Sequence, residues 1–537
     1  MERWAGKIAI VTGASSGMGL AIAKALVQND VVVIGFARRK EKMQSEMQNV
    51  KGKGKGKFYA CECDVTKSES IEHAFEWVKN NFGTVHILVN NAGISSDAKF
   101  MDSSRPDWKK LFDVNVLGLI DCSKRAARMM LDSNVECYIV NMNSVLGHNV
   151  DLPGFTLNFY PSSKFASVAA TEIIQKELYG SKIRVTSISP GLVSTNIMQA
   201  NNFNIKESYK SLYALEPNDV ANAIIYVIGT PQRVHITELI IRPFGEVKYA
   251  MYYITSSFIS FLITNQTLNS SFLLPALRVT NYTVNILKTK MERWAGKVAI
   301  VTGASSGIGL AIAKAFVQNG ILAIGFARRK EKMESEMKNV KGKGKGKFYA
   351  CECDVTKPES IEQAFEWVKN NFGTVHILVN NAGVVSNVKF MDSSRPDWQR
   401  LFDVNVLGLI DCTKRAARIM LDSNVEGYII NMNSIAGHYL DVFPGCSLNF
   451  YPASKFASVA ATDITQKELY GSKIRVTSIS PGLVSTEIFD ANNVNILKDL
   501  PALEADDIAN AVIYVIGTPQ RVHITELIIR PFGEVKY

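Results

Sequence analysis

Cysteine is scarce in this sequence, and its spacing is not that of a metal site. The chain has eight cysteines in 537 residues, and neither C-x-C pair, Cys61/Cys63 or Cys351/Cys353, has a histidine or further cysteine nearby at ligand spacing. A disulfide framework or a structural metal site is therefore not expected. We predict instead that the FYACECDV runs around both pairs are buried strands and that the protein is cytoplasmic.

The sequence also lacks a long apolar run. Its first residues, which include Glu2, Arg3 and Lys7, do not have the pattern of a secretory signal. Residues 250–290 contain the apolar stretch YYITSSFISFLI, but polar residues interrupt it too often for a spanning helix, which needs about 20 mostly apolar residues. We expect this segment to be a disordered linker, with a membrane-associated segment as the alternative, and we expect no stable membrane anchor.

A broadly basic surface is absent as well, although the net charge is +10. Two KGKGKGK tracts, 51–57 and 341–347, hold eight lysines, and the rest of the chain carries only about +2, a balance that argues against a nucleic-acid partner. Alternating Gly and Lys has no apolar face to bury. We therefore interpret both tracts as solvated loops rather than anion sites.

What the sequence does contain is the same domain twice. Residues 1–249 recur as residues 291–537, and residues 225–249 are identical to residues 513–537. The period, about 290 residues, is far longer than that of a solenoid repeat, so each copy is predicted to be a complete domain, with 250–290 between them. Met291 restarts the chain with the MERWAGK of its beginning, which leaves open that two adjacent genes are read as one.

Short β-rich runs alternate with helical patterns in each copy. In the first copy the runs read KIAIVT, VVVIGFA, KFYACECD, VHILVN, YIVNMN, IRVTSIS and TELIIR, and helical patterns such as 68–80 and 105–131 separate them. Nearly continuous apolar strands that alternate with helices predict a parallel sheet covered on both faces. We therefore predict an α/β protein with two tandem, Rossmann-like, doubly wound domains.

A glycine-rich turn follows the first predicted strand directly. TGASSGMG places Gly13, Gly17 and Gly19 ahead of a predicted helix. Glycines permit a tight turn and let backbone N–H groups approach a pyrophosphate at the helix N-terminus. Such a turn alone is also compatible with an ordinary loop, but its position between strand and helix favours a dinucleotide site that includes Ser15 and Met18.

The second strand ends with two arginines where a carboxylate would favour NAD. A carboxylate would accept hydrogen bonds from the adenosine 2′-hydroxyl, whereas Arg38 and Arg39 suit a 2′-phosphate. We predict NADP(H) in preference to NAD(H), and the alternative is a solvated arginine pair at a helix start. Asp64, followed by Val65, ends the third strand on the same sheet edge and is a candidate for the adenine amino group.

The candidate catalytic pair is Tyr160 and Lys164, in YPSSK. Residues four apart share a helix face, so the ammonium can approach the phenol and favour phenolate, which would make Tyr160 a usable acid and base. Ser144 closes the fifth strand and offers a hydroxyl to the substrate oxygen. Asn115 is polar inside an otherwise apolar helix; alternatively, its side chain patches a helix irregularity.

These motifs follow the order typical of the short-chain dehydrogenase/reductase family, which both copies resemble over nearly their whole length. The resemblance implies a tyrosine acid and base, a serine that polarises the carbonyl, a lysine bound to the nicotinamide ribose and an asparagine that anchors a proton-relay water. It also implies pairing through the helix after the tyrosine, either between the copies or in a homo-oligomer. In the first copy the catalytic residues are Asn115, Ser144, Tyr160 and Lys164, and the cofactor-binding residues are Gly13, Ser15, Gly17, Met18, Gly19, Arg38, Arg39, Asp64, Val65, Asn91, Ala92, Gly93, Pro190, Gly191, Val193 and Thr195. In the second copy the catalytic residues are Asn405, Ser434, Tyr451 and Lys455, and the cofactor-binding residues are Gly303, Ser305, Gly307, Ile308, Gly309, Arg328, Arg329, Asp354, Val355, Asn381, Ala382, Gly383, Pro481, Gly482, Val484 and Thr486.

More narrowly, MERWAGK, GFARR and VIYVIGTPQRVHITELIIRPFGE resemble the insect farnesol dehydrogenase-like branch of that family. The resemblance implies an apolar alcohol or carbonyl substrate, such as farnesol or farnesal. Its vertebrate relatives imply the alternative of a steroid or xenobiotic carbonyl reductase. A nucleotide-sensing protein without turnover is a third hypothesis, which the presence of both Tyr and Lys in each copy disfavours.

Differences between the copies are concentrated in three segments that we predict to adjoin the catalytic edge. They are 94–99 against 384–389, 145–159 against 435–450, and 196–219 against 487–507. Either the copies differ in substrate specificity or these are surface loops that have drifted. A further difference is Asp30, which stands where the second copy has Gly320. If that turn needs positive φ, Asp30 costs up to about 1 kcal/mol and Asp30→Gly should raise the melting temperature.

Overall fold

The computed structural model describes residues 1–96, 98–150, 158–195, 214–243, 291–440, 448–490 and 500–531. The predicted linker 250–290 lies outside these ranges. So do the ends of both copies and much of the second and third segments that differ between them.

In the first copy, strands and helices alternate along the chain. The elements are β1 (Ile8–Thr12), α1 (Gly17–Gln28), β2 (Val32–Ala37), α2 (Lys40–Met47), β3 (Lys57–Glu62), α3 (Ser68–Phe82), β4 (Ile87–Asn90), α4 (Arg105–Phe112), α5 (Gly118–Ser133), β5 (Cys137–Met142), α6 (Tyr160–Glu177), β6 (Ile183–Pro190), α7 (Pro217–Gly229) and β7 (Glu238–Ile241).

The second copy repeats this order and has one additional short helix. Its elements are β8 (Val298–Thr302), α8 (Gly307–Gln318), β9 (Leu322–Ala327), α9 (Lys330–Met337), β10 (Lys347–Glu352), α10 (Pro358–Phe372), β11 (Ile377–Asn380), α11 (Arg395–Phe402), α12 (Leu409–Asp422), β12 (Gly427–Met432), α13 (Tyr451–Glu468), β13 (Ile474–Pro481), α14 (Glu487–Asp490), α15 (Ala505–Gly517) and β14 (Glu526–Ile529).

Each copy forms one seven-stranded parallel sheet. The strand orders are β3-β2-β1-β4-β5-β6-β7 and β10-β9-β8-β11-β12-β13-β14. The chain winds outward from β1 in one direction and then returns to begin again with β4, so the order reverses between these two strands. The carboxyl ends of strands flanking such a reversal form a crevice that binds ligands in open α/β sheets. The prediction of two doubly wound α/β domains is confirmed.

The third strand differs from its prediction. The FYACECDV runs were expected to be buried, but β3 and β10 are the edge strands of their sheets and all of their residues are half-buried or exposed. Cys61 and Cys351 are half-buried, whereas Cys63 and Cys353, just beyond the strands, are buried. An edge strand has a neighbour on one side only, so an apolar run alone does not distinguish it from a central strand.

The predicted helix over 105–131 is continuous, but its hydrogen-bonding pattern is irregular at the centre. Between α4 and α5 the backbone is π-helical over Asp113–Leu117. The second copy has the same feature over Asp403–Gly408, between α11 and α12. Single π-helical turns inside helices are often found at functional sites.

The two copies pair through the helices that begin with the candidate tyrosines. α6 lies against α13 along its length, and the rings of Phe112 and Phe402 are 5.5 Å apart, centroid to centroid. Ser162 Oγ donates a 2.6 Å hydrogen bond to the Ala457 carbonyl. A single cluster of buried apolar side chains includes residues of both copies. The pairing implied by the family resemblance is therefore present within one chain.

Within the described ranges, no helix has the length and apolarity needed to cross a bilayer. The same ranges contain no group of three or more metal-binding side chains, and the seven cysteines in them are free. Cys446 lies outside these ranges.

The first Lys-Gly tract is packed more closely than a solvated loop. Its lysines are exposed, as predicted, but its glycines approach the end of α1. A Cβ on Gly56 would lie 2.1 Å from the Val27 carbonyl oxygen. Asp30 has φ +65°, so the left-handed turn is confirmed, and its Oδ1 accepts hydrogen bonds from the N–H of Gly54 (2.6 Å) and of Gly56 (3.4 Å).

These bonds change the expected effect of substituting Asp30. Asp30→Gly relieves the left-handed strain but removes the acceptor, and because each effect is about 1 kcal/mol, the melting temperature should hardly change. Asp30→Ala keeps the strain and loses the bonds, so it should lower the melting temperature by about 2–4 °C. Thermal unfolding of the full chain checks both. A clear rise for Asp30→Gly would mean that the carboxylate contributes nothing and that the original expectation holds.

Candidate active site

The glycine turn between β1 and α1 is built for close backbone approach. Gly13 and Gly17 have φ of +68° and +55°. A Cβ on Gly19 would lie 2.4 Å from both Gly13 O and Asn91 Nδ2. Side chains at these positions would be strained or would clash, so glycine is required at this turn.

The segment after β4 is tied to the same turn. Thr12 Oγ1 accepts hydrogen bonds from the backbone N–H of Asn91 and of Ala92, both 2.9 Å, and Asn91 Nδ2 donates to Thr12 O at 3.0 Å. A Cβ on Gly93 would lie 3.5 Å from Asn115 Oδ1. The predicted residues Asn91, Ala92 and Gly93 thus lie between the glycine turn and Asn115.

The two arginines after β2 differ in what they contact. Arg39 Nη2 donates to Ser15 Oγ at 3.0 Å and to Ser16 Oγ at 3.4 Å, so it lies over the glycine turn. Arg38 is also exposed and acts electrostatically on Asp64. Although burial of Asp64 opposes this, hydrogen bonds from Thr66 and the nearby Arg38 lower the pKa of its carboxyl, which is therefore ionised at neutral pH.

The start of α1 can accept an anion. Its N-cap, Ser16, makes no side-chain capping bond, and its first turn contains no acidic residue. The N–H groups at a helix N-terminus attract anions when no side chain satisfies them. Together with Arg38 and Arg39, these groups fit the phosphates of a dinucleotide.

Asn115 lies in the π-helical turn and is 1% exposed. Its Nδ2 donates to Ile94 O and to Ser163 Oγ, both 2.9 Å, and its Oδ1 accepts from Ile94 N at 2.9 Å. Both amide hydrogens are used by protein groups, so the side chain links the segment after β4 to α6. The residue lies at a helix irregularity, but its side chain bonds groups outside that helix, so it does not patch the irregularity.

Tyr160, Lys164 and Ser144 meet at the carboxyl end of β5. Tyr160 is the first residue of α6 and is hydrogen-bonded to Ser144. Ser144 caps a short 3₁₀ turn, and its Oγ also accepts from Leu146 N at 3.1 Å. The Lys164 ammonium lies 5.8 Å from the centroid of the Tyr160 ring and donates to Met142 O at 2.9 Å. Tyr160, Lys164 and Ser144 therefore lie in the same part of the site.

Burial shifts the ionisation of this pair away from the predicted phenolate. Burial raises the pKa of Tyr160 to about 12, and the hydrogen bond with Ser144 offsets this only in part. Burial also lowers the pKa of Lys164 to about 8. Desolvation is the largest influence on both groups, and the Lys164 ammonium donates to the Met142 carbonyl. At pH 7 the phenol keeps its proton.

The Pro-Gly segment after β6 borders the same crevice. The Gly191 N–H donates to Ile241 O at 2.8 Å, and Val193 forms an isolated bridge with Leu215. Thr195 side-chain atoms would lie 3.6 Å from a Cβ on Gly17. Thr195 is the last described residue before a gap in the described ranges.

The second copy repeats this geometry. Lys455 Nζ lies 5.8 Å from the Tyr451 ring centroid and donates to Met432 O at 2.9 Å. Arg329 Nη2 donates to Ser305 Oγ at 2.9 Å, and Asn405 bonds Val384 and Ser454 as Asn115 bonds Ile94 and Ser163. Burial raises the pKa of Tyr451 to about 12. The remaining counterparts occupy the corresponding positions: Gly303, Gly307, Ile308, Gly309, Arg328, Asp354, Val355, Asn381, Ala382, Gly383, Ser434, Pro481, Gly482, Val484 and Thr486.

Comparison with known families identifies what this site belongs to. The model of the short chain dehydrogenase family matches the chain twice, over residues 7–206 and 297–496. The chain belongs to the short chain dehydrogenase family. It is therefore an oxidoreductase with two family domains in tandem, as predicted.

Relatives within the family cover one copy each. A farnesol dehydrogenase of Aedes aegypti is 45% identical over 247 residues, which are 45% of this chain and 99% of that protein. Dehydrogenase/reductase SDR family member 11 of Gallus gallus is 37% identical over 256 residues, or 46% of this chain and 100% of that protein. Among solved structures, an alcohol dehydrogenase of Thermococcus sibiricus complexed with 5-hydroxy-NADP is 26% identical, with a TM-score of 0.41, and the match covers 45% of this chain and 99% of that one.

Three residues in or next to the candidate active site were not identified from the sequence. Thr12 ties two loops together, Ser163 bonds Asn115, and Arg105 reaches from the first copy into the second. Thr12 and Ser163 are next to predicted site residues, and their counterparts Thr302 and Ser454 are unchanged in the other copy, which was the available signal. No local pattern marked Arg105.

Proposed function

We propose that each copy is an NADP(H)-dependent oxidoreductase that interconverts an apolar alcohol and its carbonyl compound, with farnesol and farnesal as the first candidates. The observation that carries the proposal is the cluster of Ser144, Tyr160 and Lys164 at the carboxyl end of β5, repeated in the second copy. It lies on the same sheet edge as a glycine turn suited to a dinucleotide. The similarity to a farnesol dehydrogenase over one whole copy supports the substrate class.

The roles of the side chains follow from their protonation and contacts. NADP(H), when bound, supplies the hydride in reduction and accepts it in oxidation. The Ser144 hydroxyl donates a hydrogen bond to the substrate oxygen and makes the carbonyl carbon more electrophilic. The Tyr160 hydroxyl donates its proton to that oxygen in reduction and takes it back in oxidation. Lys164 is placed to bind the nicotinamide ribose and to supply positive charge close to the phenol.

The side-chain contacts of Asn115 give it a positioning role in addition to the water-anchoring role that the resemblance implies. Both of its amide hydrogens are held by Ile94 and Ser163, so we assign it the positioning of the segment after β4 against the helix that carries Tyr160. Asn405 has the corresponding contacts and the corresponding role.

The cofactor preference rests on the arginines. Arg39 extends over the glycine turn, and Arg38 beside it is exposed. These two positions carry arginines instead of the acidic residue that would favour NAD. Guanidinium groups bind phosphate with charge-assisted and often bidentate hydrogen bonds. We therefore assign the 2′-phosphate to Arg38 and Arg39 in the first copy and to Arg328 and Arg329 in the second.

Steady-state kinetics of the full chain test the proposal. We expect turnover of farnesal with NADPH and of farnesol with NADP⁺, each with a higher kcat/KM than the same reaction with NADH or NAD⁺. Because the phenol is protonated at pH 7, reduction should be favoured near neutral pH and oxidation should gain rate at higher pH. Higher kcat/KM for a steroid or xenobiotic ketone would favour the carbonyl-reductase alternative, and binding of NADPH without turnover of any of these would refute the enzyme assignment.

A further inference from the structure

Each copy places an arginine against the other copy, beside the segment predicted to contact the adenine; Arg105 is buried and Arg395 is half-buried. Arg105, the first residue of α4, is 8% exposed. Its Nη1 donates to Val355 O and its Nη2 donates to Thr356 O, both at 3.0 Å. Val355 and Thr356 directly follow Asp354, the proposed adenine contact of the second copy.

The reciprocal contact is made by Arg395, the first residue of α11. Its Nη1 donates to Val65 O at 3.1 Å, and Val65 directly follows Asp64. Each arginine also has a carboxylate of the opposite copy nearby: Arg105 lies 3.5 Å from Asp411 Oδ2, and Arg395 lies 3.6 Å from Asp121 Oδ2.

The carbonyls that Arg105 bonds belong to a tight turn, and this turn determines the position of the Asp354 carboxylate. In the second copy, Asp354 Oδ1 accepts from Thr356 N at 3.0 Å and from Thr356 Oγ1 at 2.8 Å. A displacement of the Thr356 backbone would therefore move the Asp354 carboxylate. An arginine that holds Val355 O and Thr356 O from outside fixes both the backbone and, through Thr356, the side chain.

The two contacts are unequal. Arg105 Nη2 also reaches Asp403 O at 3.4 Å, whereas Arg395 Nη2 is buried without a hydrogen-bond partner in the described part of the chain. The surrounding sequence differs as well: Ser68 Oγ donates to Asp121 Oδ2 at 2.8 Å in the first copy, and Pro358 at the corresponding position of the second copy has no hydroxyl to do so. The turn after Asp354 in the second copy thus receives more hydrogen bonds from the opposite copy than the turn after Asp64 in the first.

We propose that Arg105 and Arg395 are positioning residues that act across the copy interface, each setting the NADP(H) affinity of the opposite copy, with the stronger effect exerted by Arg105 on the second copy. This rests on the proposed function and on the predicted contact of Asp64 and Asp354 with the adenine of NADP(H). It goes further in making the cofactor site of each copy incomplete without the other copy.

Arg105→Lys in the full chain tests the proposal with each copy measured in turn. Lysine keeps the positive charge near Asp411 but lacks the planar fork that reaches two carbonyls. A Tyr160→Phe background reports on the second copy, and a Tyr451→Phe background reports on the first. We expect Arg105→Lys to raise the KM for NADPH of the second copy by about fivefold or more, a typical coupling between sites. The KM of the first copy and both kcat values should stay within about twofold.

A matched control variant is Ser162→Ala, which removes a hydrogen bond between the copies and installs the residue that the second copy has at this position, Ala453. It should leave both KM values for NADPH unchanged. If Arg105→Lys changes the two copies equally, changes only the first copy, or changes neither, the proposal is overturned.

Arg395→Lys is the reciprocal substitution in the second copy, and it tests the proposal if the Arg105→Lys variant does not fold. It should raise the KM for NADPH of the first copy only, by a smaller factor than Arg105→Lys, and a rise in the second copy instead would overturn the proposal. Failure of the proposed function has a separate signature, which is an unmutated chain that neither binds NADPH in a fluorescence titration nor oxidises it.

Discussion

Replacing both candidate tyrosines, Tyr160→Phe together with Tyr451→Phe, is expected to lower kcat for farnesal reduction by a factor of about 10²–10⁴, the usual contribution of general acid–base catalysis. The substitution removes the hydroxyl that delivers the proton and keeps the ring that packs beside Lys164 and Lys455. Binding of NADPH, followed by fluorescence titration of the full chain, should be unchanged. Loss of binding together with activity would instead indicate a structural effect.

The chain provides its own control for this substitution. Tyr179 and Tyr470 lie just beyond the far ends of α6 and α13 and are 93% and 92% exposed. Tyr179→Phe with Tyr470→Phe should leave kcat unchanged. Turnover that survives in the Tyr160/Tyr451 double variant would contradict the acid–base assignment.

The single variants separate the two copies in the intact protein. Tyr160→Phe leaves the second copy as the active one, and Tyr451→Phe leaves the first. A panel of alcohols and carbonyl compounds measured on both shows whether the copies differ in specificity. Specificity constants that agree across the panel would favour drift of the three variable segments over specialisation.

Removing the arginines over the glycine turn, Arg39→Ala with Arg329→Ala, is expected to raise the KM for NADPH by about 10–100-fold. This is the range for loss of a hydrogen bond to a charged group, which contributes about 1.5–3 kcal/mol. The KM for NADH should hardly change, because NADH lacks the 2′-phosphate, and it serves as the internal control.

Equal effects on NADPH and NADH would contradict a phosphate-specific role. They would mean instead that Arg39 supports the glycine turn through Ser15 and Ser16. Arg38→Ala with Arg328→Ala makes the same comparison for the neighbouring guanidinium, which acts electrostatically on Asp64.

The fold and most of the site were predictable from the sequence for identifiable reasons. Strand–helix alternation, glycine spacing and the four-residue offset between Tyr160 and Lys164 are local patterns, and local patterns determine which residues share a sheet edge or a helix face. The internal repeat added a comparison that showed Asp30 opposite Gly320. The positive φ of Asp30 confirmed that inference.

The features that were not predicted depend on three-dimensional surroundings. The pKa of Tyr160 depends on burial and on where the Lys164 ammonium points, which a four-residue spacing does not specify. The π-helical turn at Asn115 is a shift of backbone hydrogen bonds within an ordinary apolar helix pattern. Arg105 contacts Val355, 250 residues away in the chain, so no sequence window contains both partners.

Because α6 and α13 pair within one chain, dilution and an inactivating substitution in one copy affect this protein differently from a dimer of separate chains. Subunits of a separate-chain dimer part when their concentration falls below the dissociation constant, whereas tethered partners meet at a constant effective concentration. A copy with a substitution that inactivates it therefore stays beside its functional neighbour and cannot be exchanged for a fresh one. A single chain that holds both copies also fixes their ratio at one to one.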